Sequence, residues 1–212
     1  MEHDFWISKW QNNEIAFHEA QGNPYLVKHH GFLSSTDSPR VFVPLCGKTR
    51  DIHYLLSQGY DVVAAELSEL AITQLFEELG ELPEITQDTS HKRYHIPGLT
   101  VFVGDFFALT AKQIGDITSV YDRAALIALP DTMRVRYTQQ LMSLTNKARQ
   151  FLICVDYDQT VMPGPPFATP EDTVRSLYEA HYTVTRCESE EIEGGLKGKV
   201  EAKNDVYYLT PR

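Results

Sequence analysis

The sequence predicts an α/β fold built on a largely parallel sheet. Strand-like and helix-like stretches alternate along the chain, the strand-like runs are short and apolar, and the tail reads as an antiparallel pair around Gly194-Gly195. The 212 residues suffice for one α/β unit with a sizeable core and are few for two.

The elements follow in order. Asp4 to Asn12 has the make-up of a short aromatic-rich helix, and Asn23-Pro24 offers a cap and a first-turn proline for a helix reaching about Phe32. Arg40 to Leu45 is an apolar run that suits a buried strand. A helix over Lys48 to Gln58 places Ile52, Leu55 and Leu56 on one face and stops at Gly59. Asp61 to Glu66 is the second strand, and Ser68 caps a helix whose apolar positions run from Leu70 to Leu79. Pro83 to Ser90 reads as loop, Lys92 to Ile96 as a short extra strand, Leu99 to Gly104 as the third core strand and Ile117 to Asp122 as the fourth. A helix over Thr132 to Thr145 precedes a very apolar strand, Phe151 to Asp156. The four prolines between Met162 and Pro170 remove donors and fix the backbone, so that segment is irregular. Glu171 to Ala180 is helical, and Tyr182 to Leu209 forms the closing pair of strands.

Composition narrows the function. Apolar residues make up 42% and charged residues 23%, as in ordinary globular chains. No apolar run approaches the roughly 20 residues that span a bilayer, and Met1 to Trp10 is acidic and aromatic where an export signal would be basic and then apolar. A cytoplasmic, membrane-free monomer is expected. Cys46, Cys154 and Cys187 are odd in number and far apart, which predicts buried free thiols rather than disulfides, and no metal site. The net charge of -10 repels a phosphate backbone, so nucleic acid is not the expected substrate.

The loop Val43 to Thr49 joins the first strand to its helix, where ligands of such sheets bind. Gly47-Lys48-Thr49 looks like the end of a P-loop, but the required earlier glycine is Phe42. A dinucleotide loop needs three glycines to approach a pyrophosphate, and this loop has one. A nucleoside ligand without pyrophosphate, such as S-adenosyl-L-methionine, carries no such requirement. Glu66 ends the second strand about 20 residues on, where a carboxylate can accept from both ribose hydroxyls; the alternative is an exposed or capping residue. Asp105 follows the third strand and either meets an adenine edge or serves a turn. Tyr121-Asp122-Arg123 places a charged pair at the end of the fourth, either a site or a surface ion pair.

These residues resemble the thiopurine S-methyltransferase family. The matching stretches are Phe5-Trp6-x-x-x-Trp10, Ile15-Ala16-Phe17-His18, Arg40 to Lys48, Glu66-Leu67-Ser68, Tyr121-Asp122-Arg123 and Pro163-Gly164-Pro165-Pro166-Phe167, in the family's order. The resemblance implies a Rossmann-like, seven-stranded class I methyltransferase sheet with one antiparallel strand and helices on both faces. It implies a helical extension or lid over residues 1–38 and a core over 39–212. S-adenosyl-L-methionine is the implied cofactor, contacted by Trp10, Leu45, Glu66 and Arg123, with Trp6, Phe17, Asp105 and Phe106 as further walls. Ala124 stands where the family often has glycine, and Asp156 where many relatives carry serine, both near the expected acceptor side.

The implied reaction is methyl transfer to a soft nucleophile, an aromatic or heterocyclic thiol such as a thiopurine, or a selenium or tellurium species in detoxification. Alignment and exclusion of water serve such a displacement, and a thiol that ionises near neutrality needs no acid–base dyad. Trp6, Trp10 and Phe17 suit an aromatic lid over a sulfonium, or else a hydrophobic staple. Arg123 can hold a carboxylate or orient an anionic acceptor, or else pair with Asp122 or Glu66. Phe17 and His18 are candidates for orienting the acceptor, His18 also for taking its proton or simply lying on the surface. Pro163 to Phe167 suits a stiff rim. A NAD-dependent oxidoreductase and a non-catalytic S-adenosyl-L-methionine-binding protein are the alternatives.

Overall fold

A computed structural model describes residues 3–15, 19, 21–34 and 38–212. Its centre is a nine-stranded sheet in the order β3-β4-β5-β2-β1-β6-β7-β9-β8. The strands are β1 (Arg40–Val43), β2 (Asp61–Glu66), β3 (Glu84–Gln87), β4 (Lys92–Ile96), β5 (Leu99–Val103), β6 (Ser119–Arg123), β7 (Arg149–Tyr157), β8 (Tyr182–Glu191) and β9 (Ala202–Pro211). The helices are α1 (His3–Gln11), α2 (Pro24–His29), α3 (Arg50–Ser57), α4 (Glu69–Leu79), α5 (Ala111–Ile114), α6 (Asp131–Leu144) and α7 (Glu171–Tyr178).

Alternation along the strands sorts side chains to two faces. Phe42, Val63, Phe102, Val120 and Leu152 face a layer supplied by α5, α6 and α7, where Ile114, Tyr137, Leu141, Val174 and Tyr178 are buried. Val41, Val43, Val62, Val101 and Phe151 face the opposite layer, with Leu26 of α2, Ile52 and Leu55 of α3 and Ile72, Leu75 and Phe76 of α4. The predicted mostly parallel sheet with helices on both faces is therefore present.

The strand count differs from the expected seven. Seven strands follow the expected plan, with β9 running antiparallel between β7 and β8. The hairpin β3–β4 adds two more beside β5, and β4 is a second antiparallel strand. The segment expected as loop, Pro83 to Ser90, contains β3, whose four residues are all exposed and carry no burial pattern. Between β5 and β6, a 3-10 turn at Phe106–Ala108 and the short helix α5 occupy a stretch without a clear period.

Local chemistry sets the helix starts that matter for the site. The side chain of Asn23 accepts from the Tyr25 amide, with Pro24 at the first position of α2. Thr49 caps α3 by accepting from Asp51, and Ser68 caps α4 by accepting from Ala71. These caps let two helices begin within a few residues of β1 and β2, which brings their first turns to the carboxyl edge of the sheet. Cys46 and Cys154 are buried free thiols as expected, whereas Cys187 is exposed, because β8 lies at the sheet edge.

Candidate active site

The carboxyl ends of β5, β2, β1 and β6 open into a cavity of about 1260 Å³. It is lined by Trp6, Trp10, Leu45, Glu66, Asp105, Phe106 and Arg123, seven residues drawn from α1 and from four strand ends. Phe17 and His18 lie outside the described residues.

The loop after β1 shapes the floor. Leu45 and Gly47 both take positive φ, 47° and 52°, and the Cys46 amide donates to the Ala65 carbonyl at 3.0 Å. Gly47 is required by packing as well as by conformation: a β-carbon there would sit 2.8 Å from Trp10 Cζ2. Trp10 itself is 5% exposed, so its indole is at once a cavity wall and a packed anchor of α1.

Glu66 turns inward rather than to solvent. Its Oε2 accepts from the Gly47 amide and its Oε1 from the Ser68 amide, both at 2.8 Å. Burial raises its pKa, while the hydrogen bonds from Ser68 and Gly47 act the other way. A carboxylate has about four acceptor positions, so each oxygen keeps capacity for another donor. Gly104 lets β5 end close to its neighbour, since a β-carbon there would lie 2.6 Å from His91 Cδ2. Asp105 then caps the following turn, accepting from the Phe107 amide at 2.9 Å, and Phe106 is buried against Tyr137.

The Asp122–Arg123 pair is not an ion pair. Neighbours on a strand point to opposite faces. Asp122 is fully buried and accepts from the Leu126 amide at 3.1 Å and from the Tyr137 hydroxyl at 2.7 Å; burial pushes its carboxyl up to about 6. Arg123 points to the other side and pairs with Glu19, rather than with Asp122 or Glu66. Tyr121 donates to Asp51 Oδ2 at 2.9 Å, and Asp51 Oδ1 accepts from the Asn23 amide at 2.6 Å. One buried carboxylate thus ties α2, α3 and β6 together along the cavity wall.

Ala124 has φ 62°, a left-handed conformation that favours glycine, and it lines the cavity. Asp156 does not line it; its carboxylate faces Lys203 at 3.3 Å. Ile127, Met133, Ile153, Val155, Pro165, Pro166, Ile192 and Leu196 add apolar lining, and Ile127, Ile192 and Leu196 pack with Val155 in one small core. Phe167 lies outside the lining, but Gly164, Pro165 and Pro166 reach it. Buried Arg134 holds this rim by donating to the Phe167 and Ala168 carbonyls, each at 3.0 Å. Ile192 and Leu196 sit in the connection between β8 and β9, where no periodicity marks them. Cys46 and Cys154 also line the cavity, but burial raises both thiols, which keeps them neutral walls rather than nucleophiles.

Comparison with known proteins gives a consistent picture. The family model described as Thiopurine S-methyltransferase (TPMT) matches residues 1–210. The thiopurine S-methyltransferase of Xanthobacter autotrophicus is 49% identical over 210 residues, covering 99% of both chains. That of Teredinibacter turnerae is 42% identical over 210 residues, covering 99% of this chain and 98% of its own. Among solved structures, an S-adenosyl-L-methionine-dependent methyltransferase from Anabaena variabilis superposes with TM-score 0.68 at 14% identity, over 99% of this chain and 95% of that one. The 1,6-didemethyltoxoflavin-N1-methyltransferase of Burkholderia thailandensis gives 0.65 at 18% identity, over 98% and 87%. These two likenesses establish the fold.

Proposed function

The chain belongs to the thiopurine S-methyltransferase family and is an S-adenosyl-L-methionine-dependent methyltransferase, and from that premise we propose that it methylates the sulfur of aromatic and heterocyclic thiols such as thiopurines. Reduced selenium or tellurium species are the same class of soft nucleophile, and a detoxifying role would follow from accepting them.

The observation that carries this reading is the cavity's lining, which joins the polar strand-end residues Glu66, Asp105 and Arg123 to the apolar group Ile127, Val155, Ile192 and Leu196. The strand-end residues fit the donor. Glu66 offers acceptor capacity to vicinal hydroxyls, Asp105 and Phe106 stand where a base would lie, Leu45 lines the β1 loop, and Gly47 keeps its next turn free of a side chain. Arg123 would hold the donor's carboxylate, while Trp10 and Trp6 present aromatic faces that attract a sulfonium. When bound, the donor supplies an electrophilic methyl group. The volume exceeds the roughly 300–1,000 Å³ typical of a single ligand pocket, which leaves room for an acceptor beside it. The apolar lining, Ile153 and Val155 with Pro165 and Pro166, fits a flat, weakly hydrated acceptor.

The chain's own work in this reading is alignment and exclusion of water. Within the extension of residues 1–38, α1 serves as the lid, pinned by Trp10 against Gly47, while α2 packs on the sheet; Phe17 and His18 orient the acceptor. A thiol that is already ionised requires no base from the protein. A cytoplasmic monomer acting on small molecules rather than nucleic acid accords with the net charge of -10, and among the described residues no helix is long and apolar enough to cross a membrane.

Incubation with methyl-labelled S-adenosyl-L-methionine and 6-mercaptopurine tests the proposal. Labelled S-methyl product is expected. Binding of S-adenosylhomocysteine with no transfer to any thiol, selenium or tellurium compound would make the chain a non-catalytic binding protein instead.

A further inference from the structure

We infer that Glu19 and Arg123 together form a clamp for the zwitterionic end of the donor, Arg123 taking the α-carboxylate and Glu19 the α-ammonium. This rests on the donor assignment above, which gives the ammonium no partner.

Four strand ends set where that end must lie. Asp105, Glu66, Leu45 and Arg123 follow β5, β2, β1 and β6, which are adjacent in that order. Strands are spaced about 4.8 Å apart, so the line from Asp105 to Arg123 crosses three spacings, about 14 Å. A nucleoside held at Asp105 and Glu66 therefore directs its thioether arm toward Arg123, and both groups of an amino acid arrive together.

The two side chains are arranged for such a pair of charges. Arg123 is mostly buried, with 13% of its side chain exposed, and forms its ion pair with Glu19 through one terminal nitrogen. Glu19 remains 41% exposed and lines the same cavity. Its other oxygen accepts from the Asn23 side-chain amide at 3.2 Å, which fixes the carboxylate without neutralising it. An arginine and a carboxylate already in contact present opposite charges at the spacing of an α-amino acid, and a guanidinium has five donors, enough for both Glu19 and a ligand carboxylate.

Four other carboxylates line the cavity and are less suited to the ammonium: Glu14 pairs with Lys9, and Asp105 caps its own turn three strands away from Arg123. Asp51 is 1% exposed and already engages Asn23 and Tyr121 through its two oxygens. Glu66 is held by two amides at the opposite side of the β1 loop. Glu19 is the acidic group that both touches Arg123 and faces the opening.

The test compares two ligands across two proteins by calorimetry: S-adenosylhomocysteine, which carries the amino-acid end, and 5′-methylthioadenosine, which lacks it. Glu19→Gln is expected to weaken S-adenosylhomocysteine by at least about tenfold, the scale of one charge-assisted hydrogen bond, and to leave 5′-methylthioadenosine within about twofold. Retained 5′-methylthioadenosine binding shows that the variant is folded. Equal affinity of both proteins for S-adenosylhomocysteine, or a parallel loss for both ligands, overturns the clamp. A gain in affinity overturns it too, because Glu19 would then merely compete for Arg123. If the wild-type chain binds neither ligand, the donor assignment itself fails and the clamp with it.

Discussion

The indole of Trp10 rests on Gly47, so close that no β-carbon can stand between them. This contact joins the N-terminal helix to the loop after the first strand, across the cavity mouth. Gly47→Ala therefore strains a positive-φ position and displaces the ring at once. We expect it to weaken S-adenosylhomocysteine by about tenfold or more and to lower stability by about 1 kcal/mol, with a shift in tryptophan fluorescence. Trp10→Ala should also weaken the ligand without unfolding the chain, and the two changes should couple in a double-mutant cycle. Independent effects would mean that the contact carries no binding energy.

Glu66 serves the backbone as well as any ligand. Its removal leaves the Gly47 and Ser68 amides without their acceptor. Glu66→Ala should lower both the melting temperature and donor affinity, the latter by about 1–3 kcal/mol. Glu66→Gln should be intermediate, since one amide oxygen replaces two carboxylate oxygens. Calorimetry showing unchanged affinity in either variant would reject the ribose role.

Asp122 gives a pH dependence with a definite sign. Its folded pKa is raised to about 6 from an ordinary 3.8. Between those values the folded chain keeps a proton that the unfolded chain releases. Its contribution is therefore most favourable below about pH 4 and declines as pH rises to about 6, by at most about 1.4 kcal/mol per unit. Asp122→Asn should remove that decline while retaining an acceptor for the Leu126 amide. Denaturant melts of both proteins across this range measure the difference, and identical slopes would contradict it.

Arg134 controls the rim from beneath. Its guanidinium satisfies the Phe167 and Ala168 carbonyls and pairs with Asp131. Arg134→Met should cost about 1 kcal/mol or more in stability, because the half-buried Ala168 carbonyl loses its donor and the Phe167 carbonyl keeps only the Thr169 hydroxyl. It should raise the acceptor KM while leaving S-adenosylhomocysteine affinity near that of the wild-type chain. A change in donor affinity alone would place Arg134's influence elsewhere.

The polar strand-end residues were legible because each stands at the end of an apolar run. Glu66, Asp105 and Arg123 interrupt buried strands, and Asn23 and Ser68 carry the side-chain chemistry of helix caps. The partner of Arg123 was not legible: Glu19 is distant in sequence, and strand alternation separates Arg123 from the adjacent Asp122 in a way that neighbouring charges conceal. The cavity residues Ile192 and Leu196 lie in a strand connection without a period. Strand β3 was missed because its side chains are exposed, so only backbone pairing with β4 defines it.

The position of β9 also constrains how the chain assembles. β9 is translated after β8 yet lies between β8 and β7. Without it, β8 has no neighbour in the sheet and β7 shows an open edge, two unpaired backbones in one chain. Insertion of β9 closes both and brings Asn204 to the cavity wall. A chain truncated before residue 202 should therefore aggregate more readily than one truncated before β8.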